Sequence, residues 1–364
     1  MIPMVDLQRQ YKILKTDIDS AVAEVLNDCR FILGPNVSEL EKEVAAYHGV
    51  PFAIGVANGT DALFLALKAC GIGEGDEVIT TPFTFIATAE VISQLNAVPV
   101  FVDIVPETFN IDPEELKKKI TKKTKAVIPV HLFGHPADMD PIVDLCQKYN
   151  LRIIEDCAQA FGAEYNGKKV GTIGDCGCFS FFPSKNLACY GDGGMVIAGN
   201  EDIAKQIRLL RNHGSAVKYY HSAIGYNSRL DEIQAAIVRV KLRKIDEFNE
   251  SRRANADLYR SCIKRDGVIL PAESAGCRHV YHQFTIRSKK RDDIMDSLKR
   301  NDISSAVYYP LPLHKQEVFA GQRTTGGELP VSEECAAEVL SLPMFPELSE
   351  EEIQHISDVI NNAP

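Results

Sequence analysis

Between residues 53 and 157 short apolar runs alternate with helical patterns, and this alternation restricts the fold more than any other feature of the chain. AIGVANG, DEVITTP, VPVFVDI, KAVIPVHLFG and LRIIEDC read as strands. TDALFLALKAC, TFIATAEVISQLN, PEELKKKI and PIVDLCQKY lie between them and read as helices. Parallel neighbours need a crossover connection, which a helix supplies. Strands that are apolar on both faces must be covered on both. The pattern predicts an α/β fold with a mostly parallel central sheet.

The flanks differ. Residues 11–30 carry apolar positions Ile13, Ile18, Val22, Val25 and Leu26 at helical spacing. A second helix is expected over Ser38 to Tyr47, opened by Ser38 with Glu41 three residues on, the pattern of a capping box. Residues 229–261 read as one long helix, with Ile233, Ile237, Val240, Ile245 and Phe248 along one face, bridging two lobes. Beyond it, HVYHQFTIR suggests a short strand and RDDIMDSLKRN and SEEEIQHISDVINN suggest helices; YYPLPLHKQ is a proline-rich loop. The expected division is a large domain over residues 1–240, including the N-terminal helical segment, and a smaller α+β domain over residues 241–364.

A net charge of −10 gives no reason to expect nucleic acid as a partner. No apolar run is long enough to span a bilayer, and the N-terminus lacks the basic-then-apolar pattern of a signal peptide. A cytoplasmic protein without a membrane partner is expected. None of the 10 cysteines forms a CxxC pair or a zinc spacing, so reduced thiols and no metal are expected. Cys176 and Cys178, two apart, would share one face of a strand.

The chemistry gathers at a few segments. In FSFFPSKNLACYGDGG, Lys185 follows a small, polar and aromatic approach and precedes a glycine-rich turn, not the polar setting of a surface lysine. In RIIEDCAQAFGA, Asp156 ends an apolar run at the carboxyl edge of the sheet, where α/β folds place ligands. An amine that forms an imine and a carboxylate that keeps a pyridine nitrogen protonated are what pyridoxal phosphate (PLP) requires. Asp156 could instead cap a helix. Gln159, three residues on, could reach the ring hydroxyl. At ANGTDAL a strand ends and a helix begins; Gly59 permits close approach, Thr60 adds a hydroxyl, and the helix start suits a phosphate or is an ordinary capped end. Ser180 could give the phosphate a second hydroxyl. Phe83 and Phe85 are two candidate faces for a cofactor ring, and at least one would be core filling.

NGTDAL, GDEVITTPFTFIAT, PVHLFGHPADMD, EDCAQAFGA, FSFFPSKNL, GYNSRLDEIQAA, YYPLPLHKQ and SLPMFPELSEEEI together resemble the sugar aminotransferases of the DegT/DnrJ/EryC1/StrS family, nearly end to end. The resemblance implies the PLP-dependent transferase fold of type I. Lys185 would then be the lysine that binds the cofactor and Asp156 the partner of the pyridine nitrogen. Gln159 would lie near the ring oxygen, and Phe85 rather than Phe83 would stack on the ring. Gly59, Thr60 and Ser180 match phosphate contacts. Asn227 matches an asparagine that reaches the cofactor phosphate of the neighbouring subunit, which implies a homodimer with shared active sites. Arg229, Tyr308, Tyr309 and His314 fall where relatives contact the nucleotide-sugar, although Arg229 could simply anchor its helix. Some relatives acting on 3-keto uronic acid sugars carry histidine where Tyr308 stands.

The implied reaction is a ping-pong transamination from L-glutamate to a keto-sugar of a nucleoside diphosphate. VKYYH and YYPLPLH look closest to members acting on 3-keto sugars, dTDP- or UDP-linked. The alternatives are a 4-keto-6-deoxy sugar, a PLP-dependent dehydratase or aromatizing synthase, and a PLP-binding regulator without turnover. Some dehydratases on this scaffold resemble the family but carry histidine in place of the lysine, and this chain keeps Lys185.

Overall fold

The structure is a computed structural model and describes residues 1–321 and 327–364. Its centre is a seven-stranded sheet. In chain order the strands are β1 (Phe52–Val56), β2 (Glu77–Thr80), β3 (Val98–Phe101), β4 (Thr124–Val127), β5 (Arg152–Asp156), β6 (Cys176–Ser180) and β7 (Gly194–Ala198). Their spatial order is β1-β7-β6-β5-β4-β2-β3, and only β7 runs against the others. The predicted parallel sheet is present. Strands β6 and β7 add to the five expected: in sequence only the spacing of Cys176 and Cys178 points to β6, and β7 is hidden behind the glycine turn.

Period-two alternation within continuously apolar strands feeds two separate cores. Cys176, Cys178, Val196 and Ala198 face one way, among Leu63 and Leu67 of α3 (Gly59–Ala69) and Ile203 and Ile207 of a helix over Glu201–Arg211. Phe179, Met195 and Ile197 face the other, among Leu40 and Val44 of a helix over Pro35–His48 and Val238 of a helix over Glu232–Leu242. The two cysteines therefore share a face, as expected.

Downstream, Phe284–Arg287 pairs antiparallel with Val339–Leu342. Tyr259, Leu298, Ile353 and Ile356 pack there as a further cluster, from the helices Ile245–Cys262, Arg291–Arg300 and Glu350–Asn361. Among the described residues no helix is long and apolar enough to cross a membrane, and all 10 cysteines are free.

Three expectations about helices need correction. The first helix spans Leu7–Asp28, beginning earlier than residue 11 because Asp6 accepts from the backbone N–H groups of Gln8 and Arg9. The second begins at Pro35, so Ser38 lies inside it and caps nothing. Its first N–H groups are satisfied across the fold instead: buried Glu232 accepts from Asn36 at 2.7 Å and Val37 at 2.9 Å. The long helix expected over 229–261 is two, Glu232–Leu242 and Ile245–Cys262, separated at Arg243 and Lys244. No glycine or proline marks that break. It lets the first segment pack on the N-terminal helices and the second on the C-terminal one.

Candidate active site

The carboxyl ends of β1, β2, β5 and β6 open into one cavity of about 820 Å³. Gly59, Thr60, Phe85, Asp156, Gln159, Ser180, Lys185, Tyr308 and Tyr309 all line it. Residues from remote parts of the sequence meet there because parallel strands deliver their following loops to the same edge of the sheet.

The phosphate end is built by backbone. Asn58 caps α3, its side-chain oxygen accepting from Asp61 N at 2.8 Å. That leaves N–H groups at the start of the helix for the cavity, with the positive end of the helix dipole behind them. A Cβ on Gly59 would lie 2.6 Å from Ser180 Cβ, so helix and strand meet at a distance only glycine allows. At Gly194 a Cβ would lie 2.4 Å from the Asn58 carbonyl oxygen, which holds the same turn against β7. A glycine-lined helix start flanked by the Thr60 and Ser180 hydroxyls fits a phosphate.

The ring end is held by side chains. Phe83 is fully buried and stacks on Phe109, with ring centroids 5.7 Å apart. Phe85 is 55% exposed at the cavity and has a face to offer. Gln159 is pinned at both ends: its Oε1 accepts from Phe133 N at 2.7 Å and its Nε2 donates to the Tyr309 hydroxyl at 3.1 Å.

Asp156 is buried, and no helix begins at it. Its Oδ2 accepts from the Thr88 hydroxyl at 2.8 Å and its Oδ1 from Ala158 N at 3.2 Å. Burial raises its pKa above the ordinary carboxylate value; those hydrogen bonds and the charges of Lys185 and His131 oppose the rise. Burial also pushes the Lys185 amine down to about 8, partly countered by Asp156. The accessible part of Lys185 belongs to the cavity wall, so it is desolvated and still reachable. A carboxylate without a direct cationic contact and an amine poised near neutrality suit a cationic ring nitrogen and an aldehyde respectively. The residues present fit PLP.

Three expected residues do not line this cavity. Exposed Asn227 accepts from Arg229 Nη2 at 2.7 Å, and Arg229 Nη1 donates to Asn212 Oδ1 at 3.3 Å. His314 pairs through Nε2 with Glu333 at 3.0 Å. Residues that the sequence reading passed over do contribute. Thr88 holds Asp156 and hydrogen-bonds to Thr84, four residues earlier and ahead of the helix Ala87–Gln94. His282 lines the cavity from the far end of the chain, with no local signal.

A buried trio behind the site, His131, Glu155 and Cys157, has the ligand types of a metal centre. The lone pairs of His131 and Glu155 are committed to protein. Glu155 accepts from His131 Nε2 and from the N–H groups of Gly171, Ile173 and Gly174, and His131 Nδ1 accepts from Ala137 N.

The family model for the DegT/DnrJ/EryC1/StrS aminotransferase family matches residues 12–361. A protein of Geobacillus stearothermophilus named as a pleiotropic regulatory protein is 51% identical, over 99% of this chain and 97% of its own. A UDP-N-acetyl-3-dehydro-alpha-D-glucosamine 3-aminotransferase of Acidithiobacillus ferrooxidans is 50% identical, with the same shares covered. The crystal structure of S. venezuelae DesV in complex with a ketimine intermediate superposes with a TM-score of 0.96 at 42% identity, over 99% of this chain and 97% of that one. The chain thus belongs to the DegT/DnrJ/EryC1/StrS aminotransferase family, as a PLP-dependent nucleotide-sugar aminotransferase.

Proposed function

We propose that this enzyme moves an amino group from L-glutamate to C3 of a UDP- or dTDP-linked 3-keto sugar, as a cytoplasmic homodimer with shared active sites. The observation that carries the reading is the meeting of Lys185, Asp156 and the Gly59 helix start in one cavity. The name of the Acidithiobacillus ferrooxidans relative supports a 3-keto acceptor. The exposure of Asn227 outside its own chain's cavity supports a site completed by a second copy. A large lobe over residues 1–240 and a small one over 241–364 are supported by the separate cluster around Phe284–Arg287, against which Ile2 and Val5 of the N-terminus also pack.

When bound, PLP supplies an aldehyde that condenses with amines and a ring that withdraws electrons. The chain's own groups do the rest. Gly59, Thr60 and Ser180 hold the phosphate. Asp156 keeps a proton on the ring nitrogen, and Thr88 keeps Asp156 in place. Phe85 covers one ring face, and Gln159 stands by the ring oxygen. Lys185 Nζ takes the proton from the α-carbon of the donor and delivers it across the cofactor; with the sugar it runs the shuttle in reverse. Tyr308 and Tyr309 line the cavity and meet the acceptor sugar; Arg229 and His314, which stand outside their own chain's cavity, are assigned to the nucleotide, which extends beyond it.

The test is the visible spectrum of the holoenzyme before and after L-glutamate, with Lys185→Ala beside it. Bleaching of the cofactor band in the wild type alone, followed by a 3-amino product from a UDP-linked 3-keto sugar, is expected. A band indifferent to glutamate and to other amino donors would sink the transaminase reading. A dehydrated product without nitrogen would establish the dehydratase instead.

A further inference from the structure

His282 lines the cavity with Lys185, yet none of the chemistry above uses it. Its ring is almost wholly buried. The hydrogen bonds behind the ring decide which nitrogen carries its proton. The Val280 carbonyl can only accept, so the group of Asn186 lying 3.0 Å from it is the Nδ2 donor. The same Nδ2 donates to Asn249 Oδ1 at 2.9 Å, and Asn249 Nδ2 donates to the Phe161 carbonyl at 3.0 Å. Two backbone carbonyls therefore fix the orientation of both amides. Asn186 Oδ1 is left as an acceptor, and His282 Nδ1, 3.2 Å away, must donate to it. Nε2 is then the unprotonated nitrogen, and the one that remains for the cavity. The ring is also kept neutral. Burial above all, then the charges of Lys185 and Arg252 and the neighbouring His279, hold its pKa well below 6.5.

We propose that His282 is a positioning residue for Lys185: its Nε2, held as an acceptor by the Asn186–Asn249 relay, takes a hydrogen bond from the Lys185 amine when Nζ turns toward it, a contact not made in the side-chain conformation of this structure. The inference rests on the reading of Lys185 as the reacting amine. A lysine amine sits on a long stem with many rotamers, and a fixed acceptor on the cavity wall selects among them. Asp156 is the group whose charge acts on Lys185. An Nε2 acceptor gives the released amine a partner other than the carboxylate needed at the ring nitrogen.

The test compares wild type with His282→Phe, His282→Gln and Asn186→Ala. Competitive acylation of the apoprotein with acetic anhydride, read by mass spectrometry, gives the reactivity of Lys185 against pH without any turnover. Removing the acceptor takes a hydrogen bond from the ammonium form. Burial and Asp156 alone set the amine near 8, so the hydrogen bond should hold the wild-type midpoint above that value and His282→Phe should lower it by about one pH unit. His282→Gln keeps an acceptor and should restore most of the shift. NMR of ¹⁵N-labelled histidine should show the Nδ1–H tautomer at His282 in the wild type and its loss in Asn186→Ala. In the holoenzyme, His282→Phe should lower kcat of the glutamate half-reaction about tenfold with KM unchanged.

An unchanged Lys185 profile in His282→Phe, or an Nε2–H tautomer in the wild type, overturns the proposal. If His282→Phe does not fold, the Asn186→Ala acylation profile and the tautomer measurement decide the same point. Turnover by Lys185→Ala would overturn the reading of Lys185 itself, a result that the acylation profile cannot imitate.

Discussion

Asp156→Asn separates a carboxylate kept for chemistry from one kept for folding. The two side chains have the same shape. Asn at this position can still accept from Ala158 N through Oδ1, as Asp156 does at 3.2 Å. Its Nδ2 would replace Oδ2, which now accepts from the Thr88 hydroxyl at 2.8 Å. Thr88 can accept from that amide and turn its own proton to Thr84 Oγ1, 3.1 Å away. Every polar atom keeps a partner, so the fold should tolerate the change. The variant also removes a buried charge. Because burial raises the pKa of Asp156, ionising it opposes folding of the apoprotein at neutral pH. The apo variant should therefore melt at the wild-type temperature or above it at pH 7–8, and lose that advantage as acid protonates the wild type.

Catalysis should behave in the opposite way. A buried carboxylate about 4 Å from a cationic ring nitrogen, at an effective dielectric constant of 20, is worth about 4 kcal/mol. Losing it corresponds to roughly a 10³-fold fall in the rate of the glutamate half-reaction. Stopped-flow absorbance of the holoenzyme measures this, and calorimetry of the apoprotein measures stability. A half-reaction within tenfold of wild type, or a substantially lower apo melting temperature, would refute the argument and leave Asp156 a structural residue.

Gly59→Ala should weaken PLP binding and cost about 1–3 kcal/mol of stability, since its Cβ would meet Ser180 Cβ at 2.6 Å; equilibrium dialysis and denaturant unfolding check both. Lys185→Met should stabilise the apoprotein at pH 7, because the wild-type amine, lowered from 10.5 to about 8, is charged there in a desolvated site. That gain should fade as pH rises from about 8 through 10.5, and a gain that does not change with pH would mean a packing effect alone. Glu232→Ala should cost about 1–3 kcal/mol, since it strips the acceptor from the N–H groups of Asn36 and Val37; an unchanged unfolding midpoint would show that water replaces it. Mixing Lys185→Ala with Asn227→Ala subunits should recover activity that neither homodimer has, and no recovery would argue against a shared site.

The chain by itself determined the layered α/β architecture and the edge of the sheet where chemistry occurs. Strand and helix periods are local properties, and parallel connectivity carries the loops after all strands but β7 to one side. Lys185, Asp156 and Gly59 were legible because each stands where a strand stops and an unusual residue begins. The motif words sharpened this to a family. Other features had no local signature. Ser38 and Glu41 made a plausible cap, but the helix took its cap from Glu232, remote in sequence and packed beside it on the same face of the sheet. Unbroken helical spacing through residues 229–261 hid the break at Arg243 and Lys244, because periodicity records which face is apolar and not which neighbour each stretch must cover. Thr88, His282 and the Asn186–Asn249 relay became visible only in three dimensions. A hydrogen bond is satisfied by whatever partner lies within about 3 Å, and only the folded chain decides which distant residue that is.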